Sequence, residues 1–124
     1  MAGFEYPRQL RILTGEGFQK VFDKVSLKVP DQPILILASF NELDHPRIGF
    51  VISKKNVRRA VKRNRIRRII RESFRLNQHN LPPVDLVILA RKGLDELEPE
   101  ELHQLMKKCW SRLKHKAKKA NPQR

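Results

Sequence analysis

A single cysteine, Cys109, stands among 124 residues, so no internal disulfide can form and a reducing compartment suits the chain. No apolar run approaches the roughly 18 residues that a membrane-spanning helix needs. The opening residues Met1 to Pro7 lack the apolar stretch and cleavage pattern of a secretory signal, so the expected location is the cytoplasm, with no membrane partner. The histidines His45, His79, His103 and His115 hold no metal-ligand spacing with Cys109. Acidic residues are few, and many gather between Asp95 and Glu101, which leaves no obvious paired carboxylates for acid–base chemistry. The five glycines are scattered and form no phosphate-binding loop. No catalytic residue and no metal site of the protein's own is expected.

What the chain does have is positive charge. Lysine and arginine number 27 against 13 acids, a formal net charge of +14, well beyond the few units that solubility favours. The excess is concentrated: Lys54 to Arg75 carries eleven basic residues and one acid, Lys107 to Arg124 carries eight and none, and the rest of the chain sums to −4. Cationic surfaces of this kind attract phosphate, which makes a nucleic acid the expected partner.

The length fits a single domain spanning residues 1–124. Thr14 is a candidate N-cap for a short helix in which Phe18, Val21, Phe22 and Val25 recur at helical spacing. Val29 to Pro33 reads as a turn, Ile34 to Phe40 as a strand, and Arg47 to Ser53 as a second strand expected to pair antiparallel with the first. Asn56 is a candidate cap for the longest helix, which runs to about Asn77 and presents Ile66, Ile69, Ile70 and Phe74 on one face. The apolar segment Val84 to Ala90 reads as an interior strand, and strand, helix, strand implies a parallel pair. A last helix opens near Pro99, with acids clustered at its start. Its packing face is Leu102, Leu105, Met106, Cys109, Trp110 and Leu113. From about Lys114 the basic, polar composition is expected to fray.

Lys54, Lys55, Arg58, Arg59, Lys62, Arg63, Asn64, Arg65, Arg67, Arg68 and Arg71 all fall on or just before the long helix. Placed at about 100° per residue, Asn64, Arg68, Arg71 and Arg75 lie opposite the buried stripe, with Arg63 and Arg67 on the flank. Like charges on one helical face repel, and only Glu72 is interspersed to relieve them. Arginine outnumbers lysine eight to three in the segment, and its planar fork of donors matches phosphate. A solvated cationic face with no partner is the plainer alternative. Composition alone leaves DNA and RNA equally open, and allows a ribosomal-type RNA-binding protein without any enzymatic role.

The run Lys62-Arg63-Asn64-Arg65-Ile66-Arg67-Arg68 resembles the "RNR" signature of bacterial ribonuclease P proteins, on a helix that follows a strand ending in Ser53-Lys54-Lys55. The resemblance extends through Pro7 to Leu13, Gly17 to Phe22, His45 to Phe50, Arg71 to Arg75 and Asp85 to Gly93. It implies an α+β fold, an α/β sandwich like domain 2 of ribosomal protein S5, with a mixed sheet and a left-handed crossover between parallel strands. Nearly all βαβ units are right-handed, so that handedness rests on the resemblance. It also implies the protein subunit of a ribonucleoprotein that removes the 5′ leader from precursor tRNA, with hydrolysis carried out by the RNA subunit and its Mg²⁺. The partners implied are ribonuclease P RNA and precursor tRNA, with no obligate protein partner.

Residue by residue, Arg63, Asn64, Arg67, Arg68 and Arg71 match family positions that face RNA. Lys54 and Lys55 add expected backbone contacts. Phe18 and Phe22 match aromatics that line a groove for the single-stranded leader. From spacing alone, two phenylalanines one turn apart on a short helix are more often core residues. The family often places a tyrosine in the first groove strand, where this sequence has Ile34, Leu35, Ile36 and Leu37.

Overall fold

The computed structural model describes residues 15–120; the Thr14 cap and the Pro7 to Leu13 match lie outside them. Three helices, α1 (Gly15–Asp23), α2 (Ala60–Asn77) and α3 (Pro99–Ala120), accompany four strands, β1 (Leu27–Pro30), β2 (Ile34–Phe40), β3 (Arg47–Val51) and β4 (Val84–Ala90). The sheet order is β1-β2-β4-β3. The architecture is the expected α+β class.

Alternation along the strands divides the apolar residues between two faces. One face presents Leu27, Val29, Ile34, Ile36, Ile48, Leu86 and Ile88 to α2 and α3. Helical periodicity brings Ile66, Ile70 and Phe74 of α2, and Met106, Cys109 and Leu113 of α3, onto this face, all 2% exposed or less. The two helices lock together where the Trp110 indole N–H donates to Ser73 Oγ at 2.8 Å, with the Phe74 and Trp110 rings edge to face at 6.1 Å. A buried indole N–H without a partner costs about 1–3 kcal/mol, which makes Ser73 part of the core despite its hydroxyl. The opposite face carries a smaller cluster, Leu37 and Val87 under Val21 of α1, with Phe18, Leu35 and Leu89 half-buried around it.

The strands do not pair as expected. β4 inserts between β2 and β3, pairing antiparallel with β2 and parallel with β3, so β2 and β3 are not neighbours. β4 can take the central place because its residues are apolar on both faces, whereas β3 is short and stops at Val51. Val29 and Pro30, read as a turn, belong to the edge strand β1. Pro30 fits there because the amide hydrogen it lacks would point away from β2, out of the sheet.

Backbone bonding also fixes the handedness of the crossover. The Asp31 amide donates to the Ile34 carbonyl, and the Asn41 amide to that of Pro83. In β2, therefore, residues facing α2 and α3 direct their backbone groups toward β1, and the alternate residues direct theirs toward β4. For L-amino acids that pattern sets the left-to-right order of strands seen from the helical face. With β3 and β4 pointing up, β3 lies right of β4, and α2 carries the chain leftward in front of the sheet. The crossover is left-handed, as the resemblance implies and against the general rule.

Helix boundaries differ at three places. Helix α1 ends at Asp23, leaving Val25 exposed beyond it. Helix α2 begins at Ala60, because the Asn56 side chain is spent on the Ala90 carbonyl at 2.9 Å and so ties the preceding loop to β4. Helix α3 continues regularly past Lys114 to Ala120. Buried Ala117 and a hydrogen bond from Lys116 Nζ to the Lys28 carbonyl hold a segment that composition alone would let fray.

Candidate nucleic-acid interface

The basic segment enters α2 through a tight loop. The Asn56 and Val57 amides return to the Ser53 carbonyl, and Val57 is fully buried. That pins the loop and leaves Lys54, Lys55, Arg58 and Arg59 exposed around it. The helix then starts with no acid in its first turn and no side-chain cap at Arg59. Cations at a helix start add to the positive end of the dipole rather than offsetting it, so this end favours an approaching anion.

Along the helix the predicted residues separate into groups. Asn64 and Arg68 are exposed and line one shallow depression with Val61, Lys62 and Arg65. Arg67 donates to Asn64 Oδ1 at 3.1 Å, which orients the amide within the cationic face. Arg71 lies on the sheet side of the ridge, its guanidinium 5.5 Å from the centre of the Phe50 ring. A cation over an aromatic face is held in place but keeps its charge and outer donors. Arg75 pairs with Glu72 at 2.6 Å.

Arg63 is different. Its Nη1 donates to the carbonyls of Val57 at 3.0 Å and Arg58 at 2.9 Å, so part of this guanidinium braces the loop that carries the other cations. Lys62 likewise reaches a backbone oxygen, that of Asp95, at 3.3 Å. Among the described residues, no cation from Lys54 to Arg71 forms a salt bridge with a carboxylate.

On the other face, Phe22 is 44% exposed, whereas Phe18 is half-buried and packs against the Val21, Leu37 and Val87 cluster. The structure places the two phenylalanines in unlike environments, one open and one serving the fold. Nearby, Asp85 is almost wholly buried and accepts a two-pronged bond from Arg47, Nε at 2.8 Å and Nη2 at 2.7 Å, plus one from Asn41 Nδ2 at 3.0 Å. The hydrogen bond to Asp85 raises the Arg47 pKa above its ordinary value and so holds it as the cation. The sequence reading missed this pair. Its only signal was a charged residue at one position in each of two otherwise apolar strands.

Among the described residues no cluster of three or more His, Cys, Asp or Glu side chains comes together. Burial pushes the Cys109 thiol up to about 11, away from the reactive thiolate. No described helix is long and apolar enough to cross a membrane. What the geometry offers is an electrostatic surface for a polyanion.

Fold and surface thus define a class: a small α+β protein that presents an arginine-rich helix on a mixed sheet. The family model for Ribonuclease P matches residues 6–114. The ribonuclease P protein component of Pseudomonas putida (strain GB-1) is 53% identical over 113 residues, covering 91% of this chain and 84% of the relative. That of Chromohalobacter salexigens is 50% identical over 114 residues, covering 92% and 89%. Among solved structures, the RNase P protein of Staphylococcus aureus superposes with a TM-score of 0.75 at 27% identity, over 82% of this chain and 93% of that one. The Thermotoga maritima RNase P protein gives 0.71 at 26%, over 85% and 96%. The chain belongs to the ribonuclease P protein family.

Proposed function

We propose that this chain is the protein subunit of a ribonuclease P ribonucleoprotein, binding the catalytic RNA and precursor tRNA while the RNA subunit cleaves the 5′ leader. The observation that carries the reading is the α2 face, where Asn64, Arg65 and Arg68 gather and, among the described residues, neither arginine has a carboxylate partner. Repulsion among these cations is relieved when phosphates approach, so the charge that burdens the free protein favours assembly.

In this reading Lys54, Lys55, Arg58 and Arg59 meet the RNA backbone at the positive end of α2, and Arg65, Arg67 and Arg68 continue the contact along the helix. Asn64, a neutral amide with donor and acceptor, suits a phosphate, a base edge or the water around a metal ion. Arg63, Lys62 and Arg71 serve partly by shaping the surface. Phe22, exposed one helical turn from half-buried Phe18, offers ring surface to leader bases, which stack with little regard to sequence. Contact with the leader, absent from the mature product, favours substrate over product. The Mg²⁺ that supports hydrolysis belongs with the RNA subunit in this reading. The compartment is the cytoplasm.

The test is to add the protein to bacterial ribonuclease P RNA and precursor tRNA at low Mg²⁺. Cleavage should be strongly stimulated and should leave a 5′-phosphate on the tRNA. No stimulation, or cleavage by the protein after rigorous removal of RNA, contradicts the reading. A ribosomal-type role predicts the first of these failures.

A further inference from the structure

The basic residues of α3 fall into two stripes. Lys108, Arg112 and Lys116, spaced by four, turn toward β1. Lys108 and Arg112 meet the Asp31 carboxylate at 3.0 and 3.6 Å, and Arg112 and Lys116 donate to the carbonyls of Pro30 and Lys28. Their charge is used in holding the helix to the edge strand. Lys107, Lys114 and Lys118 lie on a different side of the helix, all exposed, and none has a carboxylate partner among the described residues.

These three lysines border a groove that runs between α3 and the connection from α2 to β4. Toward one end it is polar, with Asn77 and Ser111 beside Lys107 and Lys114. Toward the other it becomes an apolar cavity of about 190 Å³, walled by Leu81, Pro82, Pro83 and Ala117 and edged by Lys114 and Lys118. That volume is below the roughly 300 Å³ at which sites for whole small molecules begin, so it suits part of a larger ligand. Apolar walls that include two proline rings, bordered by exposed lysines, match a polymer with planar rings and repeated negative charge.

We propose that this groove binds single-stranded RNA, with phosphates on Lys107, Lys114 and Lys118 and a nucleobase against Pro82 and Pro83. It is a second RNA surface, separate from the α2 ridge: the groove opens at Asn77, the last residue of α2, about 14 Å along the helix axis from Arg68. The site does not depend on ribonuclease P activity, since any unpaired RNA strand carries the required chemistry.

The experiment places a photo-crosslinking amino acid at exposed Asn80, which borders both ends of the groove, in the full-length protein with an oligouridylate probe. Crosslinking should exceed that from the same group at exposed Lys92. It should fall at least about fivefold in the Lys114→Gln/Lys118→Gln variant, since each lost phosphate contact removes counterion-release free energy. It should survive in Arg65→Gln/Arg68→Gln, which disables the α2 ridge only. Both α3 lysines are exposed, and circular dichroism checks that the variant folds. Crosslinking no stronger than from Lys92, or unaffected by the α3 substitutions, overturns the proposal. Inorganic polyphosphate should compete less well than oligouridylate at equal charge; equal competition overturns the nucleobase contact.

Discussion

Helices α2 and α3 are both rich in cations and pack side by side on the same face of the sheet, yet they use their charge differently. The inner stripe of α3 is matched: Lys108 and Arg112 converge on Asp31, and Lys116 reaches a β1 carbonyl. Among the described residues the outer face of α2 has no such partners, and its one acid, Glu72, is taken up by Arg75. Composition alone cannot tell these cases apart. A cation spent on its own chain stabilises the fold, while a cation left over marks where another molecule belongs.

Substitutions should divide along that line. Replacing Arg65 and Arg68 together by alanine should weaken binding to ribonuclease P RNA by about 3 kcal/mol, roughly a hundredfold, as two charge-assisted contacts are lost. Thermal stability should hold, and a filter-binding titration beside a melting curve reads both. A large drop in melting temperature would return these arginines to the fold.

Next in size, Ser73→Ala removes the acceptor of the Trp110 indole at the seam between the helices. A loss of about 1–3 kcal/mol in folding stability is expected by denaturant unfolding. RNA affinity per folded molecule should be unchanged.

The sheet's other face sharpens the comparison. Phe18→Ala should lower stability by about 1 kcal/mol or more, because that ring is half-buried against the Val21 cluster. Phe22→Ala should leave stability nearly intact and instead narrow the difference in affinity between precursor and mature tRNA. Equal stability losses would deny that one ring is open.

The smallest effect concerns Asp31. Burial alone would raise its carboxyl, but the Lys108 hydrogen bond, the Gln32 amide and the charges of Lys108 and Arg112 together hold it below 3.8. Its contribution is therefore complete above the unfolded value near 3.8 and disappears as pH falls through the lower folded value. Asp31→Asn should cost under about 1 kcal/mol at pH 7, since Lys108 remains largely exposed. Wild-type and variant stabilities should converge in strong acid, with RNA affinity at neutral pH little changed.

Periodicity made the long elements legible: the β2 run, the Ile66, Ile69, Ile70 and Phe74 stripe of α2 and the apolar face of α3 all emerge as read. Strand order was not legible, because local pattern carries no record that β4 slides between β2 and β3. β1 was hidden by its brevity and by Pro30, which looks like a turn residue until its place on the sheet edge is known. Handedness came from family resemblance, and backbone bonding at Asp31 and Asn41 agrees with it. At the candidate site, helical spacing located the arginine face but not the internal bonds of Arg63 or the Phe50 ring beneath Arg71. Such contacts join positions whose approach depends on the loop and the crossover.

The most direct test of the central claim is the salt dependence of binding to ribonuclease P RNA, wild type against Arg65→Ala/Arg68→Ala. If phosphates neutralise the α2 ridge, the slope of log affinity against log salt should become shallower by about 1.5, from two lost contacts at roughly 0.7–0.9 each. An unchanged slope would mean that the ridge faces solvent in the complex and would contradict the account.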